Sequence, residues 1–287
     1  MTMPDMRNDK AVQTAALNLF VGCAPERRAE LEAMVKDLQL EFQVHDDNHE
    51  DGKFIFDAGA YRYLRFNPRA MRLFWLGAYI AWEGYRAIQT QHSQPADLSR
   101  FKALLDTFEQ ILDADDTEGV AWPASVPEPG TYPGKEVDIE VRATAELATI
   151  AAGWGLLHEI RHARHQQEGT ATNSDDHSPE EVRAEEVSCD AFATTFLTER
   201  IGDYATQLHV AEDKVWQKRQ LGIYMGLFTI ALVGKDNWQT TATHPALAER
   251  LAAAKAAFAG HRSAAAENAA ELAFQALGAV WSGAPRF

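Results

Sequence analysis

The chain has 287 residues, 46% of them hydrophobic, and carries a formal net charge of −15. That length and apolar content suffice for one large domain or two modest ones, whereas the acidic balance, with no local block of lysine and arginine to offset it, excludes nucleic acid as an expected partner. Only Cys23 and Cys189 are present, too few for a secreted disulfide framework, so a reducing cytoplasm is the expected location.

Residues 1–10 contain Pro4, Asp5, Arg7, Asn8 and Asp9 and lack the apolar segment of a signal peptide, so no export is expected. Ala24 to Gln39 reads as a helix whose inner stripe is Leu31, Met34, Val35 and Leu38. Alternation then takes over at Leu40, Phe42 and Val44, followed by a turn-rich interval from Asp46 to Gly52. Phe54 to Phe56 and Tyr61 to Phe66 read as further strands, which predicts a small antiparallel sheet. The edge of such a sheet can hold an extended peptide, and a plain structural hairpin accounts for the same residues equally well.

Asn67 and Pro68 read as a cap and a first-turn proline, opening a long apolar helix through Met71, Phe74, Leu76, Ile80 and Tyr85. Another helix is expected near Leu98 to Leu112. Asp113 to Lys135 then brings Pro123, Pro127, Pro129 and Pro133 together with three glycines, either a linker or a long surface loop. It is the best internal boundary. The expected division is an N-terminal α+β lobe over residues 1–135, holding the sheet and this loop, and a helical half over residues 136–287.

Ala143 to Gln167 has no proline and sets Leu147, Ile150, Trp154 and Leu157 at helical spacing. Beyond a polar loop, Ser178-Pro179-Glu180-Glu181 opens the next helix with a cap, a first-turn proline and a capping-box glutamate, and that helix runs to about Arg200. Helices are also expected at Ala211 to Val233, at Pro245 to Ala257 behind Thr243 or His244, and at Ser263 to Trp281. The uncharged run Leu221 to Gly234 falls short of the roughly 20 residues that span a bilayer and reads as a buried core helix, with a helix lying at a membrane surface as the lesser alternative because the run lacks a polar face. The expected class is α+β, mainly α-helical.

The chemistry centres on His158-Glu159-Ile160-Arg161-His162. Two histidines at i and i+4 on a helix point the same way, one turn apart, and can grip one metal ion. Imidazole suits zinc, and a catalytic zinc keeps three protein ligands plus a water made more acidic by the metal. Glu159, about 100° round the helix from His158, stands beside the ion and can take that water's proton. His165 shares the face but lies two turns from His158, roughly 10 Å, and is expected to be a partly exposed polar residue.

The third ligand must come from elsewhere, and Glu185-Glu186-Val187-Ser188-Cys189-Asp190 offers it. A glutamate on a second helix with an aspartate four residues later resembles the gluzincin arrangement. The resemblance implies that Glu186 binds zinc and that Asp190 hydrogen-bonds the far nitrogen of His158. Thr243-His244-Pro245 with Arg250 is similar to the T-H-P-x-x-x-x-R segment of membrane proteases related to HtpX and the CAAX prenyl proteases. There a histidine and an arginine complete the active site, which implies that His244 and Arg250 stabilise an oxyanion. No transmembrane segment is expected here, so the substrates of those relatives do not carry over. Glu186 to Ala193 is similar to the E-x-x-A-N-x-F-A pattern of ImmA/IrrE peptidases except at Cys189 and Asp190, and the layout resembles that of Lit-type phage-exclusion peptidases.

These resemblances imply a zincin-like metallopeptidase with Zn2+ as cofactor, hydrolysing a peptide bond of an intracellular protein. The rival is a catalytically silent module of the same fold with a structural metal or none; an intact Glu159 argues against it. Glu186 also falls in line with Val182, Cys189 and Ala193 on the interior stripe of its helix, while Glu185 is turned about 100° away. A carboxylate facing inward needs a metal or a partner, and an ion pair with Arg161 is the alternative.

Overall fold

The computed structural model describes residues 9–47, 52–60, 62–90, 95–235 and 237–287. Its helices are α1 (Asp9–Gly22), α2 (Arg28–Asp37), α3 (Pro68–Gln89), α4 (Ser99–Asp113), α5 (Ile139–Glu168), α6 (Pro179–Thr198), α7 (Ile201–Leu208), α8 (Glu212–Val233), α9 (Leu247–Ala257) and α10 (Ala264–Val280). The strands are β1 (Glu41–Val44), β2 (Phe56–Ala58) and β3 (Tyr63–Phe66). The class is mainly helical α+β, as the periodicities predict.

Local chemistry sets most helix ends. The Asn67 side chain accepts from Ala70 N at the start of α3, and Ser178 and Glu181 form a reciprocal capping box on α6. At α5, the Asp138 side chain accepts from Glu140 N, and Gly169 closes the helix at φ 69, a left-handed conformation that glycine adopts freely. Three boundaries differ from expectation. Residues Asp9–Gly22 form a helix because Ala16, Leu19 and Phe20 give that polar segment a buried side. Pro25 holds the next segment in a 3-10 turn, Pro25–Arg27, before α2 begins. Finally, α9 starts at Leu247 with Ala246 as its cap residue, so neither Thr243 nor His244 caps it and both stay in the preceding loop.

The sheet is mixed, which corrects the antiparallel expectation. Its order is β1-β3-β2; β2 pairs antiparallel with β3, from Phe56↔Phe66 to Ala58↔Leu64, but β1 runs parallel to β3, from Glu41↔Tyr63 to Val44↔Phe66. Alternation identifies a strand without giving its neighbour's direction: β1 and β2 flank β3 instead of forming a hairpin with each other. Residues 48–51 of the expected turn interval, and Tyr61 of the expected third strand, lie outside the described residues. The backbones of Ile55 and Gly59 bond towards β3, so by alternation those of Phe56 and Ala58 turn to the opposite, outer edge.

One apolar cluster extends from Ala16 to Trp281 and includes residues on both sides of the proline-rich stretch. Within it α5 packs on α1, α3, α6 and α8 and touches β2 and β3, while α10 covers α3 and α8. The proline-rich stretch is tied down onto these helices: Trp75 Nε1 donates to Pro127 O at 2.8 Å and Tyr132 OH lies 2.7 Å from Thr149 Oγ1. The run in α8 is core, with Ile223, Tyr224, Leu227, Phe228 and Leu232 all buried. Among the described residues no helix is long and apolar enough to cross a membrane.

Close approach of α1 to α5 depends on Gly153, where a Cβ would stand 2.2 Å from Cys23 Cβ. Gly153→Ala therefore forces the two segments apart. The substitution gains about 1 kcal/mol of helix propensity but overpacks at a cost of about 1–3 kcal/mol, so a lower urea midpoint is the expected result.

Candidate active site

Helices α5 and α6 pack side by side, and the polar side chains of their contact converge on one point. His158 Nε2 and His162 Nε2 are 3.2 Å apart. Glu186 reaches both, with Oε2 at 3.4 Å from His158 Nε2 and Oε1 at 3.2 Å from His162 Nε2. Ligand atoms of a tetrahedral zinc with bonds of 2.0–2.1 Å are about 3.3 Å apart, the size of each of these separations, with Glu186 turning a different carboxylate oxygen to each imidazole. Among the described residues Glu186 Oε2 is buried without a hydrogen bond, an orphaned acceptor of the kind a cation satisfies. His158, His162 and Cys189 also bring ligating atoms within 4.8 Å of one another, a group able to hold a metal ion.

Behind each imidazole stands a carboxylate. Asp190 Oδ1 is 2.8 Å from His158 Nδ1, and Glu185 Oε1 is 2.7 Å from His162 Nδ1. With the far nitrogen so engaged, each ring is fixed in orientation and its Nε2 is left as the electron-pair donor. The carboxylates are held in turn. Arg250, from α9, donates from Nε to Asp190 Oδ2 at 2.7 Å and from Nη2 to Asp190 Oδ1 at 2.6 Å. Thr172, in the loop between α5 and α6, gives Glu185 Oε2 both its backbone N–H at 2.5 Å and its hydroxyl at 2.7 Å.

The sequence reading missed Glu185. It turns that residue off the interior stripe, yet Glu185 and Glu186 are equally buried, each 8% exposed, because α6 packs α5 on one flank and is covered by the 170–173 loop on the other. The available signal was chemical: two ligand-type histidines call for two acceptors. Arg161 bonds Glu168 and not Glu186. His165 is half-buried and held by Thr170 and Ser188, away from the cluster.

Glu159 faces the same centre, its Oε1 4.0 Å from His158 Nε2, while its Oε2 accepts from Ala58 N at 2.8 Å. A cleft of about 490 Å³ opens over these groups. Phe56, Phe74 and Trp154 line one part of it, and Ile230, Trp238 and His244 another. His244 Nε2 lies 3.8 Å from Glu186 Oε2, and its side chain is 57% exposed. Arg250 lines the cleft as well, but its guanidinium is committed to Asp190 and lies over the Trp154 ring.

The charges are strongly coupled. Burial works against the charged form of His158, but Asp190 and Glu186 outweigh it and push the imidazole up to about 10. His162 is raised in the same way by Cys189 and Glu186 against burial. For Glu186 burial favours the neutral acid, yet the two histidines hold its carboxyl far below the usual range. Burial raises Glu159, which its neighbouring histidines only partly offset.

Arg250→Ala leaves Asp190 buried with only His158 as a charge partner. The expected loss is about 3–5 kcal/mol of unfolding free energy, read from urea denaturation. Arg250→Met, which restores the packing on Trp154 but not the charge, should recover little of that loss, because Asp190 is still left unpaired.

A family model described as Peptidase U49 matches residues 64–270, a span that contains every residue of the cluster. No curated protein and no solved structure matches the chain.

Proposed function

Because the chain belongs to the Peptidase U49 family and is thus a peptidase, we propose that it is a zinc-dependent endopeptidase of the gluzincin type, acting on an intracellular protein. The observation that carries this reading is the convergence of His158 Nε2 and His162 Nε2, 3.2 Å apart, with the two Glu186 carboxylate oxygens, each within 3.2–3.4 Å of one imidazole. These three residues would hold the ion. When bound, it supplies Lewis acidity to the scissile carbonyl and makes attacking water more acidic.

The chain's own groups do the rest. Glu159 accepts the proton of the attacking water and passes it to the departing amine, a transfer favoured by a carboxyl that burial has raised. His244, on the exposed side of the centre, donates to the oxyanion as it develops. Asp190 and Glu185 keep the ligand rings in register, and Arg250 acts through Asp190 as a positioning residue. The apolar walls of the cleft displace water around the bond under attack, which strengthens each of these interactions. A cytoplasmic location belongs to the same proposal and is supported by Cys23 and Cys189, both free and buried.

Cys189 favours a second reading. If its thiol joined His158, His162 and Glu186, four protein ligands would close the site, and the metal would be structural. Zinc affinity separates the two. Glu186→Ala should lose the ion, Glu185→Ala should weaken it roughly 10- to 100-fold by freeing His162, and Cys189→Ser should leave it unchanged; loss in the serine variant would favour the closed site.

Activity is tested by labelling new N-termini in a cell lysate treated with the zinc-loaded protein or with Glu159→Gln. Fragments made only by the unsubstituted protein, with equal zinc in both, are the expected outcome. Equal cleavage by the two would remove Glu159 as the base.

A further inference from the structure

Glu159 is bonded on one side by a strand amide. Its Oε2 accepts from Ala58 N at 2.8 Å, while Oε1 stands 4.0 Å from His158 Nε2. The two oxygens are thus differentiated: one is anchored and the other faces the His158–His162–Glu186 centre. A cationic anchor would neutralise the base, whereas a peptide N–H orients it and adds no charge.

The donor is itself held rigidly. Asp57 pairs with Arg65 across β2 and β3, at 2.7 and 3.0 Å. On the other side of Ala58, Gly59 O accepts from Gln166 Nε2 of α5 at 2.9 Å. Phe56 packs against Phe74 with ring centroids 4.8 Å apart, and it lies so close to α5 that a Cβ on Gly155 would meet its ring at 2.9 Å. The Ala58 N–H is therefore fixed relative to the helix that carries Glu159. Because it projects from the outer edge of β2, no strand-pairing hydrogen bond depends on it.

We propose that the backbone N–H of Ala58 is a positioning donor for the reaction: it holds Glu159 Oε2 so that Oε1 is presented to the attacking water. This rests on the reading of Glu159 as the base.

Two variants delete this donor, and their side effects differ, since the ester also weakens the Asp57 carbonyl as an acceptor and proline adds a ring. One replaces the amide between Asp57 and Ala58 by an ester; the other is Ala58→Pro, tolerated where an edge-strand N–H makes no ladder bond. Ala58→Ser keeps the donor. In amide exchange followed by NMR on the zinc-loaded protein, the Ala58 proton should be protected in the unsubstituted chain and exposed in Glu159→Ala. Rapid exchange in the unsubstituted chain would overturn the proposal without any activity measurement. With a fluorogenic peptide built from a cleavage site found in the lysate, the ester and proline variants should lose roughly 10- to 100-fold in kcat. KM and zinc content should hold, and the serine variant should match the parent. Unchanged kcat, or a raised KM with kcat retained, would overturn the proposal; the second would mean that the amide binds peptide. If the unsubstituted protein cleaves nothing, the peptidase mechanism fails, and the exchange experiment still decides the contact.

Discussion

Burying two imidazoles side by side requires that each far nitrogen find an acceptor, and that demand organises the centre of this protein. Asp190 and Glu185 meet it. Each is then a buried carboxylate with needs of its own, met by Arg250 and by Thr172. The chain of dependence so runs outward from α5 through α6 to α9 and to the loop at 170–173. An α9 that docked elsewhere would strand Asp190, and a loosened Asp190 would release His158. Buried polar networks of this sort are stabilising only when every member is satisfied, which makes the relative placement of three helices part of the chemistry.

The scaffold supplies that placement through α5. The helix is 30 residues long and packs along most of its length on α1, α3, α6 and α8. Glycine allows two of the closest contacts: Gly153 admits Cys23, and Gly155 admits Phe56. The second contact is the functional one, because it brings the edge of β2 down beside Glu159. The small sheet thus serves the site by presenting backbone groups, for which its mixed topology is immaterial but the position of β2 at its edge is essential.

Much of this was legible in the sequence because it is written locally. Asn67-Pro68 and Ser178 with Glu181 mark helix starts whose hydrogen bonds are made within four residues, and the i, i+4 histidines need only a helix to converge. Glu186 was legible through its stripe. The failures share one cause, in that each depended on a partner distant in sequence. The direction of β1 is set by β3 and the burial of Glu185 by the loop that covers it. Ala58 was out of reach altogether, since the donor is a backbone group and no side chain announces it.

The electrostatics of the centre add a further step. Glu159 and Glu186 are both buried and border the same two histidines, yet they are pushed in opposite directions. Burial leaves Glu159 raised, because its histidine contacts are only partly compensating. In Glu186 the same penalty is overcome by direct contact with His158 and His162. The difference lies in their contacts: Glu186 meets both imidazoles directly, whereas burial dominates at Glu159. The histidines report the same field from the other side. Both are shifted towards their cationic forms despite burial, so the pocket stabilises positive charge, which protons supply when no metal is bound and a divalent ion supplies by displacing them.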